Sequence, residues 1–409
     1  MSEEPTLWHI LSVSSVPVRE FAMAMHRTIP TLAWVPQMLM TGCARNWIRT
    51  ETCRVSGLQE LHFPLQRGYA RKYIEHFVRS SDRITGLLMA QSDKPRSTVL
   101  ICTSPFWAPV AERWPGPVIY YATDLTVAYA SLKASQVKEL DARLCRVANL
   151  VCPNSKRIAQ YLQAEVGCKP ELIRLVPNAT RATNVRKASD GPLNLPEDVA
   201  DIKRPVAGII GNLANNIDWL LLLDAIEQTP SYTWLLVGPS TMRMASAEHR
   251  EARRKTLRHP RVRNIGVRPY EALRDYARAF DVAVLPYRRV EPTRSGSSTR
   301  FYEHLAACRP MLATRGVEEL LTKVPLVRLF NTSSELAEEL LKLSEEKTDH
   351  LEEVRRLASI GETWDARAHC MIDSLREVKG LGHPLAHSVG DQESDVSPKP
   401  LLVRSIANS

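Results

Sequence analysis

Short apolar runs alternate with amphipathic stretches along most of the chain. In the first half, apolar runs cover residues 7–15, 97–105, 117–123 and 148–154, and each stops near Pro, Asn, Asp or Ser. Parallel strands that are covered by helices on both faces have this near-continuous apolar character. The pattern therefore predicts buried parallel strands in these runs and a helix over 18–28.

The same alternation restarts after a polar stretch in the middle of the chain. Residues 179–204 contain Gly191 and two prolines and show no apolar period, which predicts a linker over 181–204. Together the two halves predict an α/β protein with two tandem Rossmann-like, doubly wound units. In the second half we predict strands at 204–211, 233–239, 261–267, 281–287 and 311–314, and helices at 215–228, 270–279, 299–307 and 364–378.

This organisation predicts where a ligand would bind. Ligands of open α/β sheets bind beyond the carboxyl ends of the strands. We therefore expect the active site in a cleft between the two units. The predicted segments are a first unit at 1–180, the linker at 181–204, a second unit at 205–362, a closing helix at 363–379 that packs back on the first unit, and a flexible tail at 380–409.

Composition adds a preference for anionic partners and a reducing compartment. The chain of 409 residues has 54 Lys and Arg against 45 Asp and Glu, a formal net charge of +9. Such a balance favours nucleotides, phosphorylated substrates or acidic membrane surfaces. The eight cysteines include no CxxC pair, which argues against disulfides and structural zinc.

No targeting or membrane-spanning segment is predicted. The start, MSEEPTLW, lacks the basic and apolar regions of a signal peptide. The apolar stretch 28–44 contains Pro30 and Pro36 and is shorter than the roughly 20 residues that a transmembrane helix needs. We therefore expect a cytoplasmic protein that is soluble or peripheral at the inner face of the membrane.

Several common nucleotide and metal motifs are missing from the sequence. There is no GxGxxG after the first strand, no GxxxxGK[ST], no GxSxG, no HExxH and no Asp-x-Asp pair. These absences disfavour a dinucleotide dehydrogenase, a P-loop NTPase and a metal held at a diphosphate. We expect no cofactor and no metal, so Arg, Lys, backbone N–H groups and helix ends would have to meet the charge of a bound diphosphate.

The stretch 285–314 carries the strongest candidate chemistry. A polar loop ends at a predicted helix start near Thr299, and a helix N-terminus attracts anions. Arg294 and Arg300 flank this start, and Arg300 and Glu303 share one helix face. The arginine could hold a diphosphate while the glutamate accepts hydrogen bonds from a ribose diol. The alternative is a serine-capped helix with an ordinary surface Arg–Glu pair.

The run TRSGSSTRFYEHLAACRPMLAT resembles the nucleotide-sugar site of group-1-type glycosyltransferases, which have the two-Rossmann GT-B fold. It is closer to a subgroup with a Thr-Arg-Ser loop and a basic residue, here Arg300, three positions before the Glu. Ser295 stands where the family often has a first glutamate, and Cys308 replaces the usual glycine. The resemblance covers most of 97–378.

The resemblance implies a role for particular residues. In the loop after the first strand of the second unit, the family often has Arg and Lys, whereas this chain has Asn212 and Asn216. The implied donor-site residues are Gly211, Asn212, Arg294, Ser297, Ser298 and Arg300 for the diphosphate, Glu303 for the ribose, and Val267 and Arg268 for the base.

Asp124 is the candidate catalytic residue of the first half. It follows the apolar run 117–123, in the position of a crevice residue. Membrane-acceptor relatives of this fold have an aspartate there as the proposed base, which would take the proton of an acceptor hydroxyl. The alternative, held equally, is a helix N-cap.

The resemblance implies a metal-independent, hexosyltransferase-like glycosyltransferase. Its first unit would bind a hydroxyl acceptor, lipid-linked or polysaccharide, and its second unit a nucleotide-diphosphate sugar, in cell-surface polysaccharide synthesis. The alternatives are a nucleotide-sugar epimerase on the same fold and a non-catalytic nucleotide-sugar-binding partner; nucleic acid is not an expected partner. The basic segment 64–89 suggests either an anionic membrane surface or an ordinary solvated helix face.

Overall fold

The chain forms two compact α/β units. One consists of Met1–Pro177 with Trp364–Ser409, and the other of Asn178–Thr363. The predicted tail at 380–409 lies outside the described residues. The computed structural model describes residues 7–39, 48–66, 74–129, 132–190, 195–240, 246–346 and 349–378.

The first unit is built on a seven-stranded sheet in the order β3-β4-β2-β1-β5-β6-β7. All neighbouring strands are parallel except β3, which pairs antiparallel with β4. The strands are β1 (Leu7–Leu11), β2 (Thr31–Leu39), β3 (Arg49–Thr52), β4 (Gln59–Gln66), β5 (Thr98–Cys102), β6 (Val118–Ala122) and β7 (Leu150–Pro153). The helices are α1 (Val16–Thr28), α2 (Ile74–Ala90), α3 (Ala108–Ala111), α4 (Ala134–Val147), α5 (Lys156–Ala164) and α12 (Trp364–Val378).

The predicted strands of this unit are confirmed, and three further strands were not predicted. β1, β5 and β6 are buried at every position, as their apolar runs require. The apolar stretch 28–44, considered only as a membrane span, contributes the strand β2. The edge strand β3 is exposed at every position and therefore has no apolar pattern to detect.

A chain of hydrogen bonds through Trp34, His9 and Ser92 satisfies the polar groups buried in this core. Trp34 donates its indole N–H to His9 Nδ1 at 2.9 Å, so His9 carries its proton on Nε2, which lies 2.7 Å from Ser92 Oγ. Ser92 in turn donates to the Leu88 carbonyl at 3.1 Å. Burial lowers the pKa of His9 to about 3. His9 is thus a neutral core residue with both ring nitrogens satisfied.

The second unit is built on a six-stranded parallel sheet in the order β10-β9-β8-β11-β12-β13. The strand order reverses between β8 and β11, and the carboxyl ends at such a switch point are where doubly wound sheets bind ligands. The strands are β8 (Val206–Ile210), β9 (Thr233–Val237), β10 (Val262–Gly266), β11 (Val282–Leu285), β12 (Met311–Thr314) and β13 (Arg328–Phe330). The helices are α6 (Trp219–Gln228), α7 (Ala247–Arg258), α8 (Leu273–Ala279), α9 (Thr299–Ala306), α10 (Ser333–Glu345) and α11 (Glu352–Ile360).

The segment predicted as a linker, 181–204, belongs to the second unit. Arg278 donates to Asp190 at 2.7 Å, and Arg268 donates to Asp198 at 2.6 Å. These ion pairs hold the segment against the rest of the unit. Because the contacts are polar, the sequence shows no apolar pattern here, and the segment resembles a linker.

The last described helix, α12, belongs to the first unit although it follows the second unit in sequence. It packs against α1. Arg27 at the end of α1 donates to Asp365 at the start of α12 over 2.8 Å.

We predict that substituting the buried Asp141 flattens the pH dependence of stability. Tyr120 and Tyr161 donate to its carboxylate at 2.7 and 3.0 Å, and burial raises its pKa from 3.8 to about 6. The folded protein therefore holds a proton that the unfolded chain releases, and stability falls as pH rises from about 4 to 6, by up to about 3 kcal/mol. Asp141→Asn should remove this fall, measured by urea unfolding between pH 4 and 7.

Glu139→Gln, on the same helix but exposed, is the matched control and should leave the pH profile unchanged. An Asp141→Asn profile that is parallel to that of the wild type would show that Asp141 does not titrate in this range.

Candidate active site

The candidate site is built on the loop that follows β8. Gly211 has a φ of +94°, a conformation that L side chains rarely adopt. A Cβ at this position would also lie 3.3 Å from Arg300 Nε. The chain therefore needs glycine here, both for the turn and for the close approach of the arginine.

Arg300 holds this loop from α9. Its Nε donates to the Ile210 carbonyl at 2.5 Å, and its Nη2 donates to the Asn212 carbonyl. With the Asn216 amide oriented so that both of its ends are satisfied, the amide oxygen accepts from Arg300 Nη1 at 3.1 Å. The side chain is only 7% exposed. Its buried guanidinium thus stabilises the loop, and diphosphate binding by Arg300 stays a prediction.

The start of α9 is held by an internal carboxylate. Glu319 accepts from the Ser298 backbone N–H at 2.8 Å, from the Ser297 hydroxyl at 3.1 Å and from the Tyr302 hydroxyl at 2.5 Å. The Ser298 hydroxyl caps the helix by accepting from the Phe301 N–H at 3.2 Å. The serine cap of the alternative interpretation is therefore confirmed, and Glu319 already engages two donors of the predicted anion site.

The two arginines of this region differ sharply in environment. Arg294 forms an ion pair with Glu318 at 2.7 Å, and its side chain is 54% exposed. Arg300 is buried and bonds to backbone carbonyls instead of forming the surface pair with Glu303 that the alternative interpretation proposed.

Glu303 is the centre of a buried hydrogen-bond cluster. Its Oε2 accepts from the Thr180 hydroxyl and from the Asn184 amide, both at 3.0 Å, and its Oε1 accepts from the Tyr270 hydroxyl. Only 5% of Glu303 is exposed. Since a carboxylate offers about four lone-pair sites, these donors use most of its capacity. The implied contact with a ribose stays a prediction.

The residues predicted to bind the base lie after β10. Val267 is 67% exposed. Arg268 points back into the unit, where its Nε and Nη2 donate to Asp198 at 3.0 and 2.6 Å. Tyr276 donates to the same carboxylate at 2.8 Å. Arg268 therefore anchors this loop, and Val267 is the side chain that the loop presents to solvent.

Asp124 lies just beyond β6 in the first unit. It caps no helix: the short turn Thr126–Ala128 has no side-chain cap, and Asp124 Oδ1 accepts from the Tyr129 hydroxyl at 3.3 Å. The N-cap interpretation is therefore wrong. Although the residue is exposed at the surface, desolvation by the protein around its carboxyl group raises the pKa to about 6, against the hydrogen bond from Tyr129, which lowers it. Near this pKa a carboxylate can accept a proton at neutral pH.

Sequence reasoning missed several side chains that surround the predicted ones. Thr180, Asn184 and Tyr270 meet Glu303 from segments that carry no motif. Glu319 also lies outside every motif that the sequence analysis identified. A fifth residue, Arg288, lies three positions after the end of β11, and that position beside the switch point is a signal the sequence does provide.

The described part of the chain also bears on the membrane and metal expectations. Within it, no helix has the length and apolarity to cross a membrane. No three His, Cys, Asp or Glu side chains converge there as metal ligands. Arg67, Arg71 and Lys72 of the basic segment 64–89 lie outside the described residues, so the anionic-surface hypothesis stays a prediction.

Comparison with known proteins agrees with the resemblance in the second unit. Residues 204–346 match a sequence model of the family described as Glycosyl transferases group 1. The chain is also similar to the putative teichuronic acid biosynthesis glycosyltransferase TuaH of Bacillus subtilis, with 24% identity over 209 residues. That alignment covers 48% of the chain and 50% of TuaH, so the chain spans about half the length of this curated relative. The predicted resemblance to group 1 glycosyltransferases is confirmed for residues 204–346, and the subgroup with the Thr-Arg-Ser loop stays a prediction.

Solved structures share the fold over nearly the whole chain. Sucrose-phosphate synthase from Thermosynechococcus elongatus has a TM-score of 0.69 at 16% identity and covers 92% of this chain and 100% of its own. Anabaena HepE in complex with UDP and glucose has a TM-score of 0.61 at 15% identity, with coverages of 92% and 99%. At such identities the likeness shows the fold alone. The predicted α/β fold of two Rossmann-like units is confirmed.

We predict that Arg300→Ala destabilises the second unit far more than Arg294→Ala does. The first change leaves the Ile210 carbonyl without its Arg300 donor and removes the charged hydrogen bonds to the Asn212 carbonyl and the Asn216 amide, at a cost of about 2–4 kcal/mol. The second removes an exposed ion pair, worth at most about 1 kcal/mol. Urea unfolding followed by Trp fluorescence measures both. Equal losses for the two variants would contradict a structural role for Arg300.

Proposed function

We propose that this chain, whose residues 204–346 match the group 1 glycosyl transferases, moves a sugar from a nucleoside-diphosphate sugar to a hydroxyl acceptor. The observation that carries the proposal is the position of the family match. It spans the switch point of the second sheet, the Gly211 loop and α9 with its buried Glu303. These elements are the ones at which a doubly wound sheet binds a nucleotide.

The second unit is the donor-binding unit in this proposal. The diphosphate lies against the Gly211 loop and the start of α9, beside the residues predicted for it: Gly211, Asn212, Arg294, Ser297, Ser298 and Arg300. Glu303 accepts a ribose hydroxyl beside the Thr180, Asn184 and Tyr270 donors that hold its carboxylate in place. The exposed Val267 packs against the base, and Arg268 keeps that loop in place.

The first unit binds the acceptor and supplies the base. The Asp124 carboxylate takes the proton of the acceptor hydroxyl as its oxygen bonds to the anomeric carbon of the sugar. The bond from that carbon to the diphosphate breaks, and its electron pair leaves with the nucleoside diphosphate. Donors of the second unit stabilise the negative charge on this leaving group. We propose that protein groups do so without a divalent ion.

The acceptor is lipid-linked or a growing polysaccharide in this proposal, which the similarity to a teichuronic acid biosynthesis protein supports. We place the protein in the cytoplasm, at the inner face of the membrane. The seven described cysteines are all free, which supports a reducing compartment.

The direct test is calorimetric titration with UDP, GDP, ADP, CDP and dTDP. We expect one of them to bind with a Kd in the micromolar range, as is common for enzyme substrates. Turnover of the matching sugar nucleotide should then require a hydroxyl acceptor. Conversion of the donor alone would favour an epimerase, and no binding in the whole panel would overturn the proposal.

We predict that Asp124→Asn lowers kcat by 10²- to 10⁴-fold, roughly the usual contribution of general base catalysis, with little change in donor affinity. Because the base acts deprotonated and its pKa is raised to about 6, wild-type kcat/KM should rise with pH up to about 6 and then level off. Steady-state rates between pH 4.5 and 8 measure both. Asp82→Asn, exposed in the same unit, is the control, and a rate for Asp124→Asn near that of the wild type would remove Asp124 from the catalytic role.

A further inference from the structure

The arginines predicted for the donor, Arg294 and Arg300 for its diphosphate and Arg268 for its base, are already engaged within the second unit. Arg300 uses its donors on the Gly211 loop, and Arg294 pairs with Glu318 at 2.7 Å. Arg268 pairs with Asp198 at 2.6 Å. The loop itself carries Asn212 where the family often has a basic residue. The switch point therefore needs another source of positive charge to hold a diphosphate.

Arg288 provides such a charge at the same loop. It follows the end of β11, the strand that pairs with β8 across the switch point. Its backbone N–H donates to the Asn216 carbonyl at 3.0 Å, which fixes the position of the residue beside the loop. Its Nη1 makes a long hydrogen bond of 3.4 Å to the Asn215 carbonyl. Arg288 is half-buried, so part of the residue remains accessible to solvent.

Arg288 also differs from these arginines in its electrostatic surroundings. Among the residues that the structure describes, no carboxylate lies within 4 Å of its guanidinium. The nearby Asp218 is engaged as the N-cap of α6, where its Oδ1 accepts from the Leu221 N–H at 3.2 Å. His249, which is only 8% exposed, lies near both Arg288 and Asp218, and within the described residues its Nδ1 has no hydrogen-bond partner.

The positive charge of Arg288 acts on the neighbouring His249. Burial first, and the Arg288 guanidinium second, lower the pKa of His249, whereas Asp218 raises it. An arginine with no carboxylate partner gives this corner of the loop an excess of positive charge, and the imidazole beside it has a ring nitrogen without a partner among the described residues. Such an arrangement suits an anion that bridges several donors.

We propose that Arg288 is the residue that binds the diphosphate of the donor and of the nucleoside-diphosphate product. The inference rests on the proposed function and deepens it, because it names a residue outside the 294–303 run that neutralises the negative charge of the leaving group. In this arrangement Arg300 shapes the loop from its buried side, and Arg288 contacts the phosphates from the accessible side. Arg288 then supplies the charge that the family often places on the loop itself.

The test compares Arg288→Ala with Arg289→Ala. The neighbouring arginine is exposed and donates to the Asn331 side chain, so the control removes the same charge one residue away. Calorimetric titrations use the nucleoside diphosphate that the panel identifies, its monophosphate and the free nucleoside. We expect Arg288→Ala to weaken diphosphate binding by about 10- to 100-fold, the value of a charged hydrogen bond. Nucleoside binding should stay within twofold, and Arg289→Ala should bind like the wild type.

Salt dependence gives an independent readout. The decrease in diphosphate affinity between 50 and 500 mM NaCl should be smaller for Arg288→Ala than for the wild type, because one screened charge contact is missing. Arg288→Gln keeps much of the side chain and replaces the alanine variant if the latter does not fold. Arg288→Lys should recover part of the affinity.

The outcomes separate the two proposals. Wild-type protein that binds no nucleoside diphosphate overturns both. Wild-type binding that Arg288→Ala and Arg288→Gln leave unchanged overturns the role of Arg288 and leaves the proposed function intact. Loss of binding on Arg315→Ala instead, at the exposed arginine that follows β12, would assign the charge to that residue and overturn the inference as well.

Discussion

The contact between Arg300 and the backbone after β8 is the constraint on which the second unit's candidate site depends. Burying a guanidinium is unfavourable unless its donors are satisfied, and here backbone carbonyls and one amide satisfy them. The contact also requires a glycine at 211, because any side chain there would meet Arg300 Nε. One residue of α9 thus determines the conformation of a loop that is some 90 positions away in sequence.

The other polar clusters of the unit follow the same principle. Glu303, Glu319 and Asp198 each accept several hydrogen bonds from separate segments, so each carboxylate joins pieces of chain that are distant in sequence. A fully satisfied buried network specifies one arrangement, since any displacement leaves a charged group without donors. The site is therefore preorganised, which reduces the cost of ordering it around a ligand.

Much of the fold could be predicted from sequence because parallel strands buried on both faces have a strong apolar signal. β1, β5, β6, β8 and β11 all follow this rule. β3 has no buried face, and β13 comprises only Arg328–Phe330, so neither provides a pattern.

The candidate site was predictable only in part. The motif led to Arg300 and Glu303, but a helix face does not reveal which carbonyls or hydroxyls a side chain reaches. The direction of the Arg300 guanidinium depends on the loop after β8, and the partners of Glu303 come from residues 180, 184 and 270. Such contacts between distant segments leave no periodicity behind.

The position of α12 in the first unit has a consequence for biosynthesis. The chain leaves that unit at Pro177 and returns to it only at Trp364, after the whole second unit has been made. On the ribosome, the second unit can therefore complete its sheet while the first still lacks its final helix and exposes the surface of α1 that this helix covers. A nascent chain that stops before residue 364 would contain a complete second unit and a first unit that lacks α12. Chaperones would recognise this form by its uncovered apolar surface.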